Sequence, residues 1–399
     1  MLDQPIEIRV SGLRPGEAVT LSAEQYVGPQ PFRSHATFQA DHDGAVDPGR
    51  RAPQSGSYSG VEPMGLLWSM DPVSDPSQAR GFGSELRIRV VRDGSCVADE
   101  TVHRFMGLAR TERISIAEAG VHGELLLPPR PGPHPLVVCL TGSGGGIDRM
   151  RAGLLAARGY ACLALAYFGY GPLPRRLVEI PLEYFGNAFE WAARDARLDS
   201  SRLAVVGGSR GGELALLLAA TFPRIRVAIA YAPSHVRWGG FPSRRQRPAW
   251  TQGGQPLPYL KARAEQAAEL LEARTSRERF EKVLASASHA ELEAARIPIE
   301  RSSAALLLVS GGQDAVCPSD LFAEQAMRRL HESGYPHTRV HLRYPDAGHA
   351  IGTPHIPRPT ATVHPLTGQL VSLGGARAAN ERASVDSWPR VLDFLATHL

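Results

Sequence analysis

A serine between glycines, where a strand should pass into a helix, is the part of this chain best suited to chemistry. The sequence Gly207-Gly208-Ser209-Arg210-Gly211 follows the apolar run 203–206 and precedes the helical run 213–220. Glycines suit such a turn because the serine backbone is strained and the chain folds back tightly. The following helix starts at the serine, so its amide end can stabilise an oxyanion. The pattern predicts that Ser209 is a nucleophile rather than part of a structural glycine-rich turn.

A serine nucleophile needs a base, and the base needs an acid that orients it. In doubly wound hydrolases the acid and then the histidine follow the serine along the chain, each in a loop after a strand. Asp314 closely follows an apolar, strand-like run, and His349 closely follows a run that alternates as a strand should. We therefore expect Asp314 to be the acid and His349 the base. Asp346 and His355 are the alternatives for these two positions.

An oxyanion formed at Ser209 would need two backbone donors. In such a fold one donor is the amide after the nucleophile, here Arg210, and the other comes from the loop after an earlier strand. The apolar run 136–140 leads into such a loop, which has four glycines in five positions. It lacks the Lys-Ser/Thr of a phosphate-binding loop, and a merely structural loop is the remaining alternative. The candidates for the second donor are Gly142, Ser143 and Gly144.

Length and composition describe an ordinary globular protein. With 399 residues the chain is long enough for two domains, and 43% apolar and 21% charged residues are typical values. We expect no membrane span, because no stretch of eighteen apolar residues occurs. The first residues lack the basic and apolar regions of a secretory signal. These features predict a cytoplasmic protein.

Charge and cysteine usage exclude several partners and cofactors. A net charge of +4, without basic clusters interleaved with aromatics, does not favour nucleic-acid binding. The four cysteines lack metal-ligand spacing, so we expect a reduced compartment and no metal site. No motif for an organic cofactor stands out. A small-molecule substrate is the expected partner.

The pattern of the chain changes near residue 120. Residues 1–120 contain short alternating runs broken by proline and glycine, which predicts an all-β, immunoglobulin-like sandwich. Residues 121–399 alternate strand-like and helical runs, which predicts a doubly wound, mostly parallel sheet with helices on both faces. An insertion at about 235–300 lies between the expected nucleophile and acid. Its position suits a cap over an active site. The alternative is a surface insertion that has no role in the site.

Motifs spread over nearly the whole chain carry a resemblance to a known family. The matching segments are Ser11–Gly16, Pro63–Met70, Gly144–Gly146, Arg151–Ala156, Leu163–Phe168, Leu182–Phe185, Gly312–Asp314 and Ala347–His349. In these segments the chain resembles the type I acyl-CoA thioesterase / bile acid-CoA:amino acid N-acyltransferase family. It differs from the family's pattern after the histidine, where Gly352-Thr353-Pro354-His355 replaces a Glu-Pro-Pro-Tyr-like run.

The resemblance implies a β-sandwich followed by an α/β-hydrolase domain with a serine or cysteine nucleophile, an aspartate and a histidine. It implies an acyl thioester substrate, carried by CoA or by an acyl carrier protein. Ser209 matches the thioesterases, whereas the amino-acid transferases carry cysteine there. We therefore expect an acyl-CoA hydrolase. The alternatives are an acyltransferase with an amine or alcohol acceptor, a carboxylesterase on the same fold, and a non-catalytic acyl-binding protein.

Overall fold

The chain is divided into two compact units. The computed structural model describes residues 1–27, 30–73, 85–107, 111–242, 246–266, 269 and 272–399. The first unit comprises residues 1–106, 353–359 and 377–385, and the second comprises residues 107–352, 360–376 and 386–399. Two short segments from the C-terminal part of the sequence thus belong to the first unit.

Among its described residues, the first unit is all-β apart from one short helix and the first residues of a longer helix, Arg377–His398, that continues into the second unit. Its elements are β1 (Ala18–Val27), β2 (Gln30–Gln39), β3 (Ser55–Gly56), α1 (Gly65–Trp68), β4 (Asp71–Pro72), β5 (Glu85–Arg92) and β6 (Ser95–His103). The strands form one antiparallel sheet in the order β3-β2-β1-β5-β6, with β4 also paired to β2.

The core of the first unit lies on one face of this sheet. Leu21, Phe38 and Leu86 are fully buried there and belong to one apolar cluster that also includes residues of α1. The layer facing the sheet is mostly irregular chain, tied together by an isolated antiparallel bridge between Val10 and Val46. The alternation of apolar and polar residues therefore predicted the β-type of this unit correctly.

The second unit contains the strand–helix alternation that the sequence predicted. Its strands are β7 (Glu112–Glu118), β8 (Val121–Leu127), β9 (His134–Leu140), β10 (Ala161–Ala166), β11 (Ile180–Pro181), β12 (Leu198–Gly208), β13 (Ile225–Tyr231), β14 (Trp250–Gln252), β15 (Gln255–Pro256), β16 (Ala305–Gly311), β17 (Arg339–Tyr344), β18 (Ala361–Val363) and β19 (Leu370–Ser372). Its helices are α2 (Arg149–Ala156), α3 (Leu182–Ala193), α4 (Arg210–Thr221), α5 (Ser276–Ser286), α6 (His289–Ala295), α7 (Ser319–Glu332) and α8 (Arg377–His398), the first residues of α8 belonging to the other unit.

Eight strands form the central sheet in the order β7-β8-β10-β9-β12-β13-β16-β17. Only β8 runs antiparallel to its neighbours, and the other pairings are parallel. This order and this single reversed strand are those of an α/β hydrolase, as expected. Strands such as β10 and β16 are buried along their whole length, as is usual when both faces of a sheet are covered.

The unit boundary lies earlier in the chain than the change of pattern near residue 120. The predicted boundary falls between β7 and β8, and these two strands pair with each other in the central sheet. The contact pattern therefore assigns β7 to the second unit, from residue 107 onward. Alternation alone could not show this, because an edge strand of either sheet has the same pattern.

The insertion at 235–300 contains α5, α6 and short 3₁₀ turns at Ala264–Gln266 and Ile299–Arg301. Residues 243–245, 267, 268, 270 and 271 of this stretch lie outside the described residues. No described helix of the chain is both long enough and apolar enough to cross a membrane.

Candidate functional site

Ser209 occupies a strained turn between β12 and α4. It has φ 57° and ψ −122°, in the left-handed half of the backbone map that non-glycine residues rarely adopt. A Cβ on Gly207 would collide with the carbonyl of Gly211, and one on Gly211 would collide with the carbonyl of Thr141. Gly208, by contrast, has no atom closer than 3.8 Å to such a Cβ. The outer two glycines of the pattern are therefore required sterically, and the inner one is not.

Asp314 lies in the loop after β16, and hydrogen bonds from its neighbours fix the orientation of its carboxylate. It is 1% exposed. Its Oδ1 accepts the amides of Val316 at 2.8 Å and Cys317 at 3.1 Å, and its Oδ2 accepts the hydroxyl of Ser319 at 2.7 Å. The same Oδ2 lies 2.8 Å from Nδ1 of His349, in the loop after β17. The structure thus joins the predicted acid and the predicted base directly.

The electrostatics of this pair favour a charged carboxylate beside a basic ring. Burial alone would raise the pKa of Asp314, but attraction to His349 and hydrogen bonds from His349, Ser319 and Cys317 outweigh it, so the pKa is lowered. Burial alone would lower the pKa of His349, but the attraction and hydrogen bond of Asp314 outweigh it, so that pKa is raised. A ring poised in this way is suited to take up a proton.

The three predicted residues lie at one edge of the central sheet. Strands β12, β13, β16 and β17 are neighbours and run parallel, so their carboxyl ends share an edge. Ser209 follows β12, Asp314 follows β16 and His349 follows β17. The described contacts include no hydrogen bond between the Ser209 hydroxyl and the His349 ring. Nucleophile–base contacts are often long before a substrate binds, so this geometry is compatible with a relay.

The two alternative residues occupy other surroundings. His355 belongs to the first unit, where its Nδ1 lies 2.9 Å from a carboxylate oxygen of Glu381, which also binds Arg358. Asp346 is exposed two residues after β17. The pairing of Asp314 with His349 leaves neither alternative in the position of the acid or the base.

The glycine-rich loop after β9 approaches the serine closely. A Cβ on Gly142 would lie 3.3 Å from Cβ of Ser209 and 3.9 Å from its Oγ. The amides of Gly145 and Gly146 are used in backbone hydrogen bonds, whereas those of Gly142, Ser143 and Gly144 take part in none of the hydrogen bonds among described residues. The amide of Arg210, at the first position of α4, is likewise unengaged there. Such amides are available to an oxyanion.

Ser209 opens into a cavity of about 420 Å³, a volume typical of small-molecule sites. The insertion contributes much of its apolar wall, through Trp238, Phe241, Leu260 and Phe280. Trp238, Leu260 and Phe280 also belong to one apolar cluster with Phe322 of α7, and the Trp238 and Phe280 rings meet edge to face. The insertion therefore walls the serine's cavity, as a cap would.

One residue of the site was missed by the sequence reasoning. Glu213, one turn into α4, lines the cavity and is 1% exposed. It accepts the indole N–H of Trp250 at 2.8 Å and forms an ion pair of 3.2 Å with Arg210, whose guanidinium also binds the carbonyl of Trp238. Burial raises its pKa. Its spacing of three from Arg210 was the available signal, but its insertion partners were not visible in the sequence.

Three potential metal ligands lie together: oxygen, sulfur and nitrogen atoms of Asp314, Cys317 and His349 are all within 4.8 Å of one another. A metal would need Cys317 as a thiolate. Burial first, and then the neighbouring Asp314, raises the pKa of this thiol well above its ordinary value. A protonated thiol pointing at the carboxylate suits the aspartate–histidine pair better than a metal centre. That the protein uses no metal stays a prediction.

Comparison with known proteins covers the whole chain. Residues 180–399 match the family model described as "BAAT / Acyl-CoA thioester hydrolase C terminal", and residues 3–118 match "Acyl-CoA thioester hydrolase/BAAT N-terminal region". Human acyl-coenzyme A thioesterase 1 is 32% identical over 100% of this chain and 94% of its own length. Mouse mitochondrial acyl-coenzyme A thioesterase 2 is 32% identical over 100% of this chain and 87% of its own length. Mouse acyl-coenzyme A thioesterase 3 is also 32% identical, over 100% of this chain and 92% of its own length.

Proposed function

Because the chain belongs to the BAAT / acyl-CoA thioester hydrolase family, we propose that it hydrolyses acyl-CoA thioesters through an acyl-serine intermediate on Ser209. The observation that carries this proposal is the strained Ser209, which opens into a cavity at the sheet edge that also bears the hydrogen-bonded pair Asp314–His349. A strained backbone at a glycine-flanked serine is a feature of nucleophiles.

In the proposed reaction, the ring of His349 removes the proton of the Ser209 hydroxyl while the hydroxyl oxygen attacks the thioester carbonyl. Asp314 accepts a hydrogen bond from the Nδ1–H of His349, which leaves the other ring nitrogen free to act as the base. The tetrahedral intermediate collapses, the carbon–sulfur bond breaks, and His349 returns the proton to the leaving thiolate. A water deprotonated by His349 then attacks the acyl-serine. The bond between the acyl carbon and the serine oxygen breaks, His349 returns the proton to that oxygen, and the carboxylic acid leaves.

The oxyanion of both intermediates would be held by the Arg210 amide and by an amide of the glycine-rich loop. Among the glycines of that loop, Gly142 is the one whose added Cβ would contact Ser209, and its amide and those of Ser143 and Gly144 are unengaged among the described hydrogen bonds. Removing one such donor costs about 3–4 kcal/mol of transition-state stabilisation in related chemistry. The N-terminal end of α4 adds a favourable dipole at the same place.

Hydrolysis is preferred over transfer because the intermediate is an oxygen ester. An acyl-serine is less reactive toward amines than the thioester that a cysteine would form, and position 209 is serine. Analysing the products with and without candidate amines and alcohols tests this preference. Matched oxygen esters test the carboxylesterase alternative. The expected cytoplasmic location stays a prediction, and one of the relatives compared above is mitochondrial by name.

A fluorophosphonate probe tests the nucleophile directly. We expect one covalent adduct on Ser209 by mass spectrometry, and we expect Ser209→Ala to abolish both the adduct and acyl-CoA turnover while circular dichroism is unchanged. Ser310 is the internal control, and the probe should not label it. Its hydroxyl also lies beside a histidine, 2.7 Å from a ring nitrogen of His341, but Ser310 is completely buried in β16. Turnover by Ser209→Ala at the parental rate, or labelling elsewhere, would contradict the proposal.

A further inference from the structure

Two cations on the insertion line the cavity of Ser209 and have no carboxylate partner in the described part of the chain. Lys261 and Arg279 are both exposed and both line this cavity. Neither takes part in an ion pair or hydrogen bond among the described residues, whereas Lys282, the other lysine of the chain, is paired with Glu269 at 2.7 Å. An unpaired cation at the wall of a substrate cavity is available to an anionic part of the ligand.

The charge balance of the cavity wall supports the same conclusion. Among the described lining residues the one carboxylate is Glu213, which is buried and already faces Arg210. The pair Glu213–Arg210 is neutral overall, so Lys261 and Arg279 leave the cavity positively charged. The apolar wall suits an acyl chain, but an acyl chain gives no reason for two cations.

A second groove lies beside the cavity, and Lys261 borders both. This groove, of about 310 Å³, shares Tyr259, Leu260 and Lys261 with the first cavity. Arg263 and Glu291 also line it and are paired with each other at 2.7 Å. Lys261 therefore stands between two spaces that are already formed, at the border of the cavity that contains Ser209.

We propose that Lys261 and Arg279 bind phosphate groups of the carrier half of the substrate, and this proposal rests on the function proposed above. A phosphopantetheine thioester has its reacting carbonyl at one end of a flexible arm and its phosphate at the other. Arginine recognises phosphate oxygens bidentately, and lysine binds them as a point charge. The same chemistry is present in CoA and in an acyl carrier protein.

The test compares neutral variants on thioesters that differ only in the carrier. Lys261→Met and Arg279→Met keep much of the side-chain stem and remove the charge. Lys282→Met is the matched control, because it lies one turn from Arg279 on α5 but does not line the cavity. One acyl group is supplied on CoA, on phosphopantetheine and on pantetheine, which has no phosphate. Circular dichroism verifies that each variant is folded.

We expect each cavity variant to lower kcat/KM for acyl-CoA about five- to tenfold, since each loses one solvent-exposed charge–phosphate contact. With acyl-pantetheine the variants and the unaltered protein should be equal, and Lys282→Met should equal the unaltered protein on every substrate. A loss that persists on acyl-phosphopantetheine assigns the site to the phosphate shared with acyl carrier proteins. A loss confined to acyl-CoA assigns it to the nucleotide phosphates. Equal losses with and without phosphate, or no loss on acyl-CoA, would overturn the proposal.

Calorimetry with CoA alone separates this proposal from the catalytic one. The unaltered protein should bind CoA at low ionic strength, more weakly as salt is added, and about five- to tenfold more weakly after Lys261→Met. If no thioester is hydrolysed but this pattern is found, the proposed function fails and the phosphate site stands. If thioesters are hydrolysed but CoA does not bind, or binds equally to the variants, the phosphate site is wrong.

Discussion

Replacing Asp314 by asparagine tests the relay with the smallest change of shape. The carboxylate oxygen 2.8 Å from Nδ1 of His349 would become part of a neutral amide. Two effects follow: the imidazolium formed in the reaction loses its counter-charge, and an amide N–H facing Nδ1 favours the tautomer that cannot act as the base. The corresponding change in well-studied serine hydrolases lowers kcat about 10⁴-fold, which corresponds to about 5 kcal/mol at 1.36 kcal/mol per factor of ten.

The structure also predicts how the pH profile changes. In the unaltered protein Asp314 holds the pKa of His349 above its ordinary value despite burial, so the acid limb of kcat/KM should lie above about pH 6.5. Activity is lost below this limb because the protonated ring cannot accept the serine proton. In Asp314→Asn burial acts without the opposing charge, so the pKa should fall below the ordinary value and the limb should move to lower pH.

The assay is acyl-CoA turnover between about pH 4 and 9, with a proton NMR titration of His349 as the second readout. Asp346→Asn is the matched control, since Asp346 is exposed only three residues before His349, and its kinetics should be unchanged. The reasoning is refuted if Asp314→Asn keeps more than about a tenth of the activity, or if its acid limb does not move. It is also refuted if Asp346→Asn produces the larger loss.

Four further substitutions test other parts of the site. Gly211→Ala should destabilise the fold by about 1–3 kcal/mol in urea unfolding, because its Cβ would collide with a backbone carbonyl. Gly208→Ala should be tolerated, since the atom nearest to its Cβ would be 3.8 Å away. An equal loss of stability in the two variants would be inconsistent with the observed turn. Gly142→Ala should lower kcat strongly and the Tm only slightly, because the new Cβ would lie 3.3 Å from Cβ of Ser209 and displace the loop. A large decrease in Tm with a normal kcat would argue against an oxyanion role for this loop. Trp250→Phe should cost about 1–3 kcal/mol of stability, because the buried Glu213 loses a donor at 2.8 Å; an unchanged unfolding midpoint would show that this bond contributes little.

Much of the geometry of the candidate site could be predicted because its signals are local in sequence. The elbow is recognisable from five residues and their flanks, since the turn needs glycine at two positions that the structure shows to be sterically closed, Gly207 and Gly211. The apolar run before Asp314 forms β16, and the alternating run before His349 forms β17, as predicted. β16 is buried along its whole length, whereas β17 lies at the edge of the sheet. A continuous apolar run is typical of the first kind of strand and alternation of the second. The chain order of serine, acid and histidine then follows from the fold.

Other features depend on contacts between residues distant in sequence. Asp314 and Asp346 both follow strands, and only the orientation of their loops places the first against His349. The same applies to Glu213, whose partner Trp250 lies 37 residues away, and to the assignment of β7 to the second unit.

What the sequence by itself determined is the set of elements and the candidate residues for the site, because backbone strain, periodicity and side-chain type are properties of short segments. Only the tertiary structure decided which acid meets which base, which loop borders the serine, and that the insertion brings Lys261 and Arg279 to the same cavity. These are distances between segments far apart in the chain, and the packing of the whole second unit sets them.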